Sequence, residues 1–161
     1  MALFRSRLFI PARLLHGSDG GGDTNLLLCS ISFTGNLMAW NLPKGDPGVH
    51  TSLQTTFMVP SDYKGNPKLS LIITSNAFSP QGTIYWHEIL PGSGGSGTLL
   101  IPAFSSPIEV DITSLVTLGT LQPNQLVSSY LVREGGNSLD TFSGTLCIAG
   151  MVLDYDSKLL S

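Results

Sequence analysis

The sequence predicts an all-β protein, an antiparallel β-sandwich of the jelly-roll type with an extended N-terminal arm. Short apolar runs recur along the chain, turn-forming residues separate them, and only one short segment has helical character. Glycine and proline number 18 and 10 among the 161 residues, a combined share of about 17% against a usual value of about 12%. Frequent turns between short strands are typical of sandwiches and barrels, so a Greek-key barrel is the alternative.

Nine segments have the composition of β-strands. In 53–59, the residues at positions 53, 55, 57 and 59 share one face, as in a half-buried strand. One helical turn is expected at 111–116, with Asp111 or Thr113 as its N-cap. The predicted strands, in chain order, are 3–10, 26–33, 53–59, 69–75, 83–90, 99–104, 108–112, 126–133 and 145–155.

Charged residues are scarce, which excludes some classes of protein and indicates a buried surface. Asp, Glu, Lys and Arg make up 12% of the chain, against roughly 25% in an ordinary domain. A hydrophobic share of 42% disfavours disorder, and no apolar run reaches the length of about 18 residues that a membrane helix needs. The net charge of −3 gives no overall attraction to nucleic acid. We therefore expect part of the surface to be covered by a protein partner.

The N-terminal segment differs from the rest of the chain. Arg5, Arg7 and Arg13 lie in the first 16 residues, which contain no acidic residue. We expect two parts, an extended basic and apolar arm with a glycine-rich linker at 1–25 and a β-sandwich domain at 26–161. The alternative for the arm is an edge strand with its arginines facing water. As partner-binding residues we predict Leu3, Phe4, Arg5, Arg7, Leu8, Phe9, Ile10 and Arg13.

The sequence contains no convincing catalytic or cofactor motif. The segment 92–97 has the spacing G-x-G-x-x-G, but a strand-like run follows it in place of the helix that a phosphate site needs, so we interpret it as a flexible loop. The three histidines lie in different segments, and no G-x-S-x-G is present. The carboxylate pairs Glu109/Asp111 and Asp154/Asp156 suit either Ca²⁺ or a solvated strand face. We predict no catalytic residue, no metal and no cofactor.

Two further sets of residues leave alternatives open. Cys29 and Cys147 lie in apolar runs, and we expect two buried thiols unless their strands pair and permit a disulfide. Four aromatic residues are candidates for a carbohydrate platform, since sugars stack on aromatic faces. Of the neighbours Tyr85 and Trp86, one is expected in the core and the other outside. The four aromatic residues are Trp40, Tyr63, Tyr85 and Trp86.

The C-terminal part of the chain resembles a known group of proteins. The segments Leu-Gln-Pro-Asn-Gln-Leu-Val at 121–127, Arg-Glu-Gly-Gly-Asn-Ser-Leu-Asp-Thr at 133–141 and Gly-Thr-Leu-Cys-Ile-Ala-Gly-Met-Val-Leu-Asp-Tyr at 144–155 are similar to the closing hairpin of small β-sandwich virion proteins of tailed bacteriophages. Asp140 and Thr141 suit a turn that their side chains fix by bonding nearby backbone. The resemblance covers about a quarter of the chain and implies attachment to a virion.

These observations predict a virion structural protein that is not an enzyme. The first interpretation is a capsid decoration or cement subunit on the capsid surface, which binds the major capsid protein and itself as a homotrimer and stabilises the head through its arm. No nucleic-acid or membrane partner is expected. The alternative is a tail-fibre or receptor-binding module that binds carbohydrate through loops around Trp40, Tyr63 and 92–97.

Overall fold

The computed structural model describes residues 3–11, 15–19, 28–33, 35–42, 51–74, 80–90, 93–115, 120–143 and 146–158. Most of them belong to antiparallel strands, which confirms the predicted β-sandwich. No helix within these ranges is long and apolar enough to cross a membrane. The strands are β1 Leu3–Pro11, β2 Leu15–Asp19, β3 Leu28–Phe33, β4 Gly35–Leu42, β5 Thr51–Met58, β6 Tyr63–Thr74, β7 Gly82–Leu90, β8 Ser93–Ile101, β9 Ile108–Asp111, β10 Leu126–Arg133 and β11 Leu146–Lys158.

The strands form two sheets around one main core. The first sheet has the order β3-β4-β11-β6-β9. β1 pairs with the same edge of β11 as β4 does, but farther along the strand, at 150–158 where β4 pairs at 146–148. The second sheet has the order β2-β5-β10-β7-β8. Apolar side chains from both sheets meet between them, and each fully buried one contributes about 1.5–3 kcal/mol. They include Leu42, Leu71, Ile84, Trp86, Ile101, Phe142, Ile148 and Leu153.

Strand β11 is the centre of the first sheet. Its register with β6 shifts between Ile148 and Gly150, which marks a β-bulge. Beyond the shift, Met151 and Leu153 still point into the main core. Cys147 and Ala149 belong to a separate small cluster with Ala39. The bulge therefore changes which positions of β11 face the main core, from the even positions 146 and 148 before it to the odd positions 151, 153 and 155 after it.

Residues 3–11 and 15–19 are strands of the sandwich, where a separate arm and linker were expected at 1–25, and the other residues of that range lie outside the described part of the chain. β1 pairs with β11 from Leu3 opposite Lys158 to Pro11 opposite Gly150. β2 pairs with β5 in the other sheet, from Leu15 opposite Thr55 onward. The structure thus corresponds to the alternative of an edge strand, because the alternating side chains of β1 complete the core next to β11.

Besides β2, two glycine-containing segments are strands that the sequence did not indicate. The prediction of a flexible loop at 92–97 was wrong for Ser93–Gly97, since β8 begins at Ser93 and pairs residue by residue with β7. β4 was not predicted at all. Backbone hydrogen bonds to a long neighbouring strand order both segments, and these bonds do not depend on side-chain propensity.

The single helical turn was predicted correctly. A 3₁₀ turn covers Thr113–Leu115, and the Thr113 amide donates to Asp111 Oδ1 at 2.8 Å, so Asp111 caps the turn. The Thr113 hydroxyl oxygen accepts a hydrogen bond of 2.9 Å from the Leu69 amide. The turn is therefore fastened to the middle of β6.

Candidate functional site

A groove lies between the start of β6 and the loop that precedes β10. Its volume is about 530 Å³, within the range of about 300–1,000 Å³ that is usual for small-molecule sites. Polar and apolar side chains line it together. We call it the Tyr63 groove, and its lining residues are Tyr63, Lys64, Gly65, Thr120, Leu121, Gln122 and Pro123.

Hydrogen bonds to the end of β5 hold the loop side of the Tyr63 groove. The Val59 amide donates to Gln125 O at 2.8 Å, and the Asn124 amide donates to Val59 O at 2.9 Å. The Gln122 amide donates to Gln125 Oε1 at 2.8 Å. Asn124 has φ of 63°, a left-handed conformation that asparagine tolerates. The loop is thus a defined turn, and the Gln122 side chain is exposed at its rim.

The strand side of the groove is irregular. Gly65 has φ of 143° and Asn66 has φ of 50°, and the β6–β11 register shifts on both sides of Asp156, which lies opposite Gly65. Glycine adopts this backbone conformation at no steric cost, and no atom lies within 4 Å of where its Cβ would be. This bulge ends the regular ladder where Tyr63 and Lys64 line the groove.

Two tyrosines pack together beneath the groove. The rings of Tyr63 and Tyr155 are 5.8 Å apart between centroids and tilted by 35°. Burial raises the pKa of Tyr63, and the charge of Asp156 raises it further. Burial also raises the pKa of Tyr155, whose hydroxyl donates to Asp62 Oδ1 at 3.1 Å. Both phenols are therefore protonated at neutral pH and can donate hydrogen bonds.

The four aromatic candidates do not form a common platform. Trp86 is 2% exposed and lies in the core, while Tyr85 is half-buried, so the predicted division between these neighbours is confirmed. Tyr63 lines the groove with only 6% of its surface exposed. The Trp40 side chain lies outside the described part of the structure. Among the four, Tyr63 alone is placed against a groove by the described residues.

The predicted partner-binding residues divide between the two faces of β1. Ile10 is 2% exposed and belongs to the core, and Leu8 packs against it. Leu3, Phe4 and Phe9 are 53%, 45% and 51% exposed. Arg13 lies outside the described residues. Burial of the inner side chains shows that part of the predicted set stabilises the fold, and whether the exposed part binds a partner stays a prediction.

The arginines of β1 form ion pairs within the first sheet. Arg7 Nε donates to Asp154 Oδ1 at 2.9 Å and Arg7 Nη2 donates to Asp154 Oδ2 at 3.1 Å, while Nη2 also donates to Glu109 Oε1 at 3.0 Å. Arg5 Nη1 donates to Asp156 Oδ1 at 3.2 Å and to Asn66 O at 2.8 Å. The alternative placed these arginines facing water, whereas each one is paired with a carboxylate of its own sheet.

The two carboxylate pairs lie on the same outer face as these arginines. The hydrogen bond from Arg7 lowers the pKa of Asp154. Hydrogen bonds from the hydroxyl and amide of Thr113 lower the pKa of Asp111, which also pairs with Lys68 at 3.3 Å. Within the described ranges, no group of three or more His, Cys, Asp or Glu side chains could hold a metal ion. The carboxylates serve ion pairs and a turn cap in this arrangement.

Sequence reasoning missed most of the groove. Lys64, Thr120 and Gln122 were not singled out, although Gln122, Pro123 and Asn124 belong to the quoted 121–127 segment. Proline followed by asparagine is a turn signal, and a turn next to a candidate aromatic is the pattern that could have indicated the site. Tyr63 lies next to this turn in space but some sixty residues away in the chain, so only the fold brings the turn and the aromatic residue together.

Comparison with solved structures agrees with this architecture. The family 11 carbohydrate-binding module from Clostridium thermocellum, in complex with a β-1,3-1,4-mixed-linked tetrasaccharide, is 14% identical, with 91% of this chain and 94% of that chain covered at a TM-score of 0.52. The family 30 carbohydrate-binding module of the cellulase Cel9D-Cel44B of the same organism is 9% identical, with 94% and 95% covered at a TM-score of 0.42.

A further solved structure comes from a bacteriophage. The enzymatically active domain of tailspike protein 4 of bacteriophage CBA120 is 11% identical, with 95% of this chain but 19% of that chain covered at a TM-score of 0.29. No protein-family model matches the sequence, and no curated protein matches it. The likeness to the family 11 module confirms a jelly-roll sandwich, and we base nothing on the two weaker likenesses.

Proposed function

We propose that this protein is a non-catalytic carbohydrate-binding module whose binding site is the Tyr63 groove. The observation that carries the proposal is the composition of the groove, which combines polar groups with apolar carbon surface. Thr120 supplies a hydroxyl, Gln122 an amide with one acceptor oxygen and two donor hydrogens, and Lys64 an ammonium group. Leu121 and Pro123 supply apolar surface. A saccharide presents hydroxyl groups and apolar C–H faces, so this lining is complementary to it.

The fold supports the same function. The family 11 module is a sandwich of the same extent that was solved with a tetrasaccharide. This fold is a suitable scaffold for a binding module. Folds of this kind serve many functions, so the assignment depends on the site. The carbohydrate-binding alternative from the sequence is therefore our first proposal.

The test is a glycan array that includes a β-1,3-1,4-mixed-linked tetrasaccharide, followed by calorimetry with the best ligand. Gln122→Ala and Lys64→Ala remove exposed groups at the groove and should each weaken binding about two- to tenfold, the effect of one lost hydrogen bond. Gln81→Ala is the matched control, because Gln81 is also exposed but does not line the groove. Binding that survives both groove substitutions, or an array without any ligand, would contradict the proposal.

A second candidate function is decoration of a phage capsid. The observation that favours it is the exposure of Leu3 and Phe9 on the outer face of β1, since exposed apolar side chains can mark a protein interface. Immunogold labelling of intact virions is the direct test. Label distributed over the head supports decoration, whereas label restricted to the tail supports a receptor-binding position, and unlabelled particles rule out both places.

A further inference from the structure

Strand β1 presents a long edge to its surroundings. It hydrogen-bonds to β11 along nine residues, and no other described strand pairs with it. A strand has two edges, so within the described part of the chain the second edge of β1 offers its backbone donors and acceptors for a further strand. Long apolar edges of this kind pair readily with other chains unless free charged side chains, proline or a covering segment prevents it.

The charged side chains of β1 are paired within their own sheet. Charged side chains deter edge pairing when they project free, but Arg5 and Arg7 are held by Asp156, Asp154 and Glu109 of their own sheet. Their charges are therefore compensated on the outer face. Proline occurs only at the last position of the strand, Pro11. The seven residues 3–9 remain competent to pair.

The sequence of this edge is nearly palindromic. Residues 3–9 read Leu-Phe-Arg-Ser-Arg-Leu-Phe, so the residue types repeat in reverse order on either side of Ser6, with leucine and phenylalanine exchanged. An antiparallel pair of identical strands is related by a twofold axis and needs a sequence that is complementary to its own reverse. We propose that two copies of this chain pair through β1, antiparallel and with Ser6 at the twofold axis.

This register matches side chains by type along the whole segment. Leu3 lies opposite Phe9 of the partner subunit, and Phe4 lies opposite Leu8 of the partner subunit. Arg5 lies opposite Arg7 of the partner subunit, each with its own carboxylates. The pairing covers the exposed Leu3, Phe4 and Phe9, and cross-strand apolar pairs of this kind stabilise a sheet.

Neighbouring registers lack this match. With Arg7 at the axis, Phe9 would lie opposite Arg5 of the partner subunit and Leu8 opposite Ser6 of the partner subunit. With Arg5 at the axis, Leu3 would lie opposite Arg7 of the partner subunit. Each alternative places apolar side chains against polar ones, so side-chain type selects the register centred on Ser6.

The dimer would leave the Tyr63 groove open. β6, which begins at Tyr63, pairs with β11 on the edge opposite to β1. Two grooves would then belong to one continuous sheet, and a ligand with repeated units could bind both. The dimer itself does not depend on the carbohydrate proposal, because it uses other residues.

The test measures self-association of the full chain by sedimentation velocity over a range of concentrations. Leu3→Lys and Phe9→Glu should each raise the dimer dissociation constant about tenfold, since each places a charge against an apolar partner at two symmetric positions. The double variant should return to within about threefold of the wild type, because the introduced ammonium and carboxylate then face each other across the axis. Leu100→Glu is the control, with a leucine 58% exposed on the second sheet.

Two further measurements distinguish loss of the β1 interface from misfolding and from association through a different surface. Thermal unfolding checks each variant, and Leu3→Lys changes a residue at the exposed start of the strand, where little packing is lost. A mixture of Leu3→Cys and Phe9→Cys chains should cross-link to each other more than either variant alone. A wild-type chain that stays monomeric up to about 0.1 mM, or a double variant as weak as the single ones, would overturn the proposal.

Discussion

Arg133 and Asp140 form a bidentate ion pair in the interior of the sandwich. Nε lies 2.9 Å from Oδ2 and Nη2 lies 3.0 Å from Oδ1, and neither side chain has any exposed surface. Arg133 Nη1 donates to Leu42 O and Nη2 donates to Phe142 O, both at 2.8 Å. One guanidinium thus connects β10 with the end of β4 and with the segment that leads to β11.

Asp140→Asn is expected to destabilise the protein strongly. The substitution removes the carboxylate that pairs with the buried Arg133 side chain, and breaking a buried ion pair typically costs about 3–5 kcal/mol. Urea unfolding, followed by fluorescence, measures the change in the free energy of unfolding. A loss below about 1 kcal/mol would mean that water or another group reaches the guanidinium.

The control for this prediction removes both charges. The double variant Arg133→Met with Asp140→Leu should recover part of the lost stability, because apolar residues need no counter-ion, while Leu42 O and Phe142 O lose the donors that Arg133 supplies. Asp154→Asn provides the surface comparison, since its partner Arg7 has a side chain 55% exposed and exposed pairs contribute little. Equal effects of Asp140→Asn and Asp154→Asn would contradict a special role for the buried pair.

The sequence allowed the fold class to be predicted, but not this pair. Alternation and turn residues identify strands because they reflect local geometry. Asp140 was expected to bond the backbone of its turn, and its bidentate pair with Arg133 was not predicted. Thr141 does bond the backbone, as its hydroxyl accepts from the Thr83 amide at 2.9 Å. The difference arises because the position of Arg133 relative to the turn depends on the hairpin geometry, which residue types alone do not specify.

Acid is expected to weaken the attachment of β1. The hydrogen bond from Arg7 lowers the pKa of Asp154 in the folded protein, so the pair contributes stability above the unfolded value of about 3.9. That contribution is lost as the pH falls from there through the lowered pKa. The melting temperature of the wild type should therefore drop further between about pH 5 and pH 2.5 than that of Asp154→Asn.

Thermal melts followed by circular dichroism at the two pH values check this prediction. Because other carboxylates titrate over the same range, the comparison rests on the difference between the wild type and the variant. Asp111, whose pKa is also lowered, offers an independent variant at the turn cap. Parallel pH profiles of the wild type and Asp154→Asn would show that the Arg7 pair does not contribute.

Gly150→Ala should disturb β1 more than an ordinary strand substitution. A Cβ at Gly150 would lie 2.6 Å from Phe9 Cε2 and 2.7 Å from the Ile10 carbonyl oxygen, and the backbone atom cannot move without shifting β1. We expect a loss of about 1–3 kcal/mol, as for overpacking in a core. Gly97→Ala is the matched control, because its Cβ would meet only the flexible Leu115 Cδ2 at 2.8 Å. Hydrogen exchange that remains slow in β1 of Gly150→Ala would contradict this account.

The glycine-rich segment shows why part of the fold escaped sequence reasoning. Residues 93–97 contain three glycines and two serines and have low strand propensity, yet Gly97 pairs with Trp86 and Ser93 with Leu90. The β7 strand supplies a template that outweighs local preference. The Tyr63 groove was not predicted from the sequence for a related reason, since its two sides come from distant segments that only the sandwich brings together.

The topology keeps the two cysteines apart, which gives a prediction about their redox state. Cys29 lies in β3 and pairs with Ala39 of β4, whereas Cys147 lies in β11 and pairs with Asn41 of the same β4. One strand therefore separates them, a spacing of about 9.6 Å between backbones, while a disulfide requires Cα atoms within about 6.8 Å. We expect no disulfide within the chain, so reduction should leave the intact mass of the monomer unchanged. Cys147 is 4% exposed, so labelling of its thiol should need unfolding, and a mass increase on reduction would show that the strand order differs from β3-β4-β11.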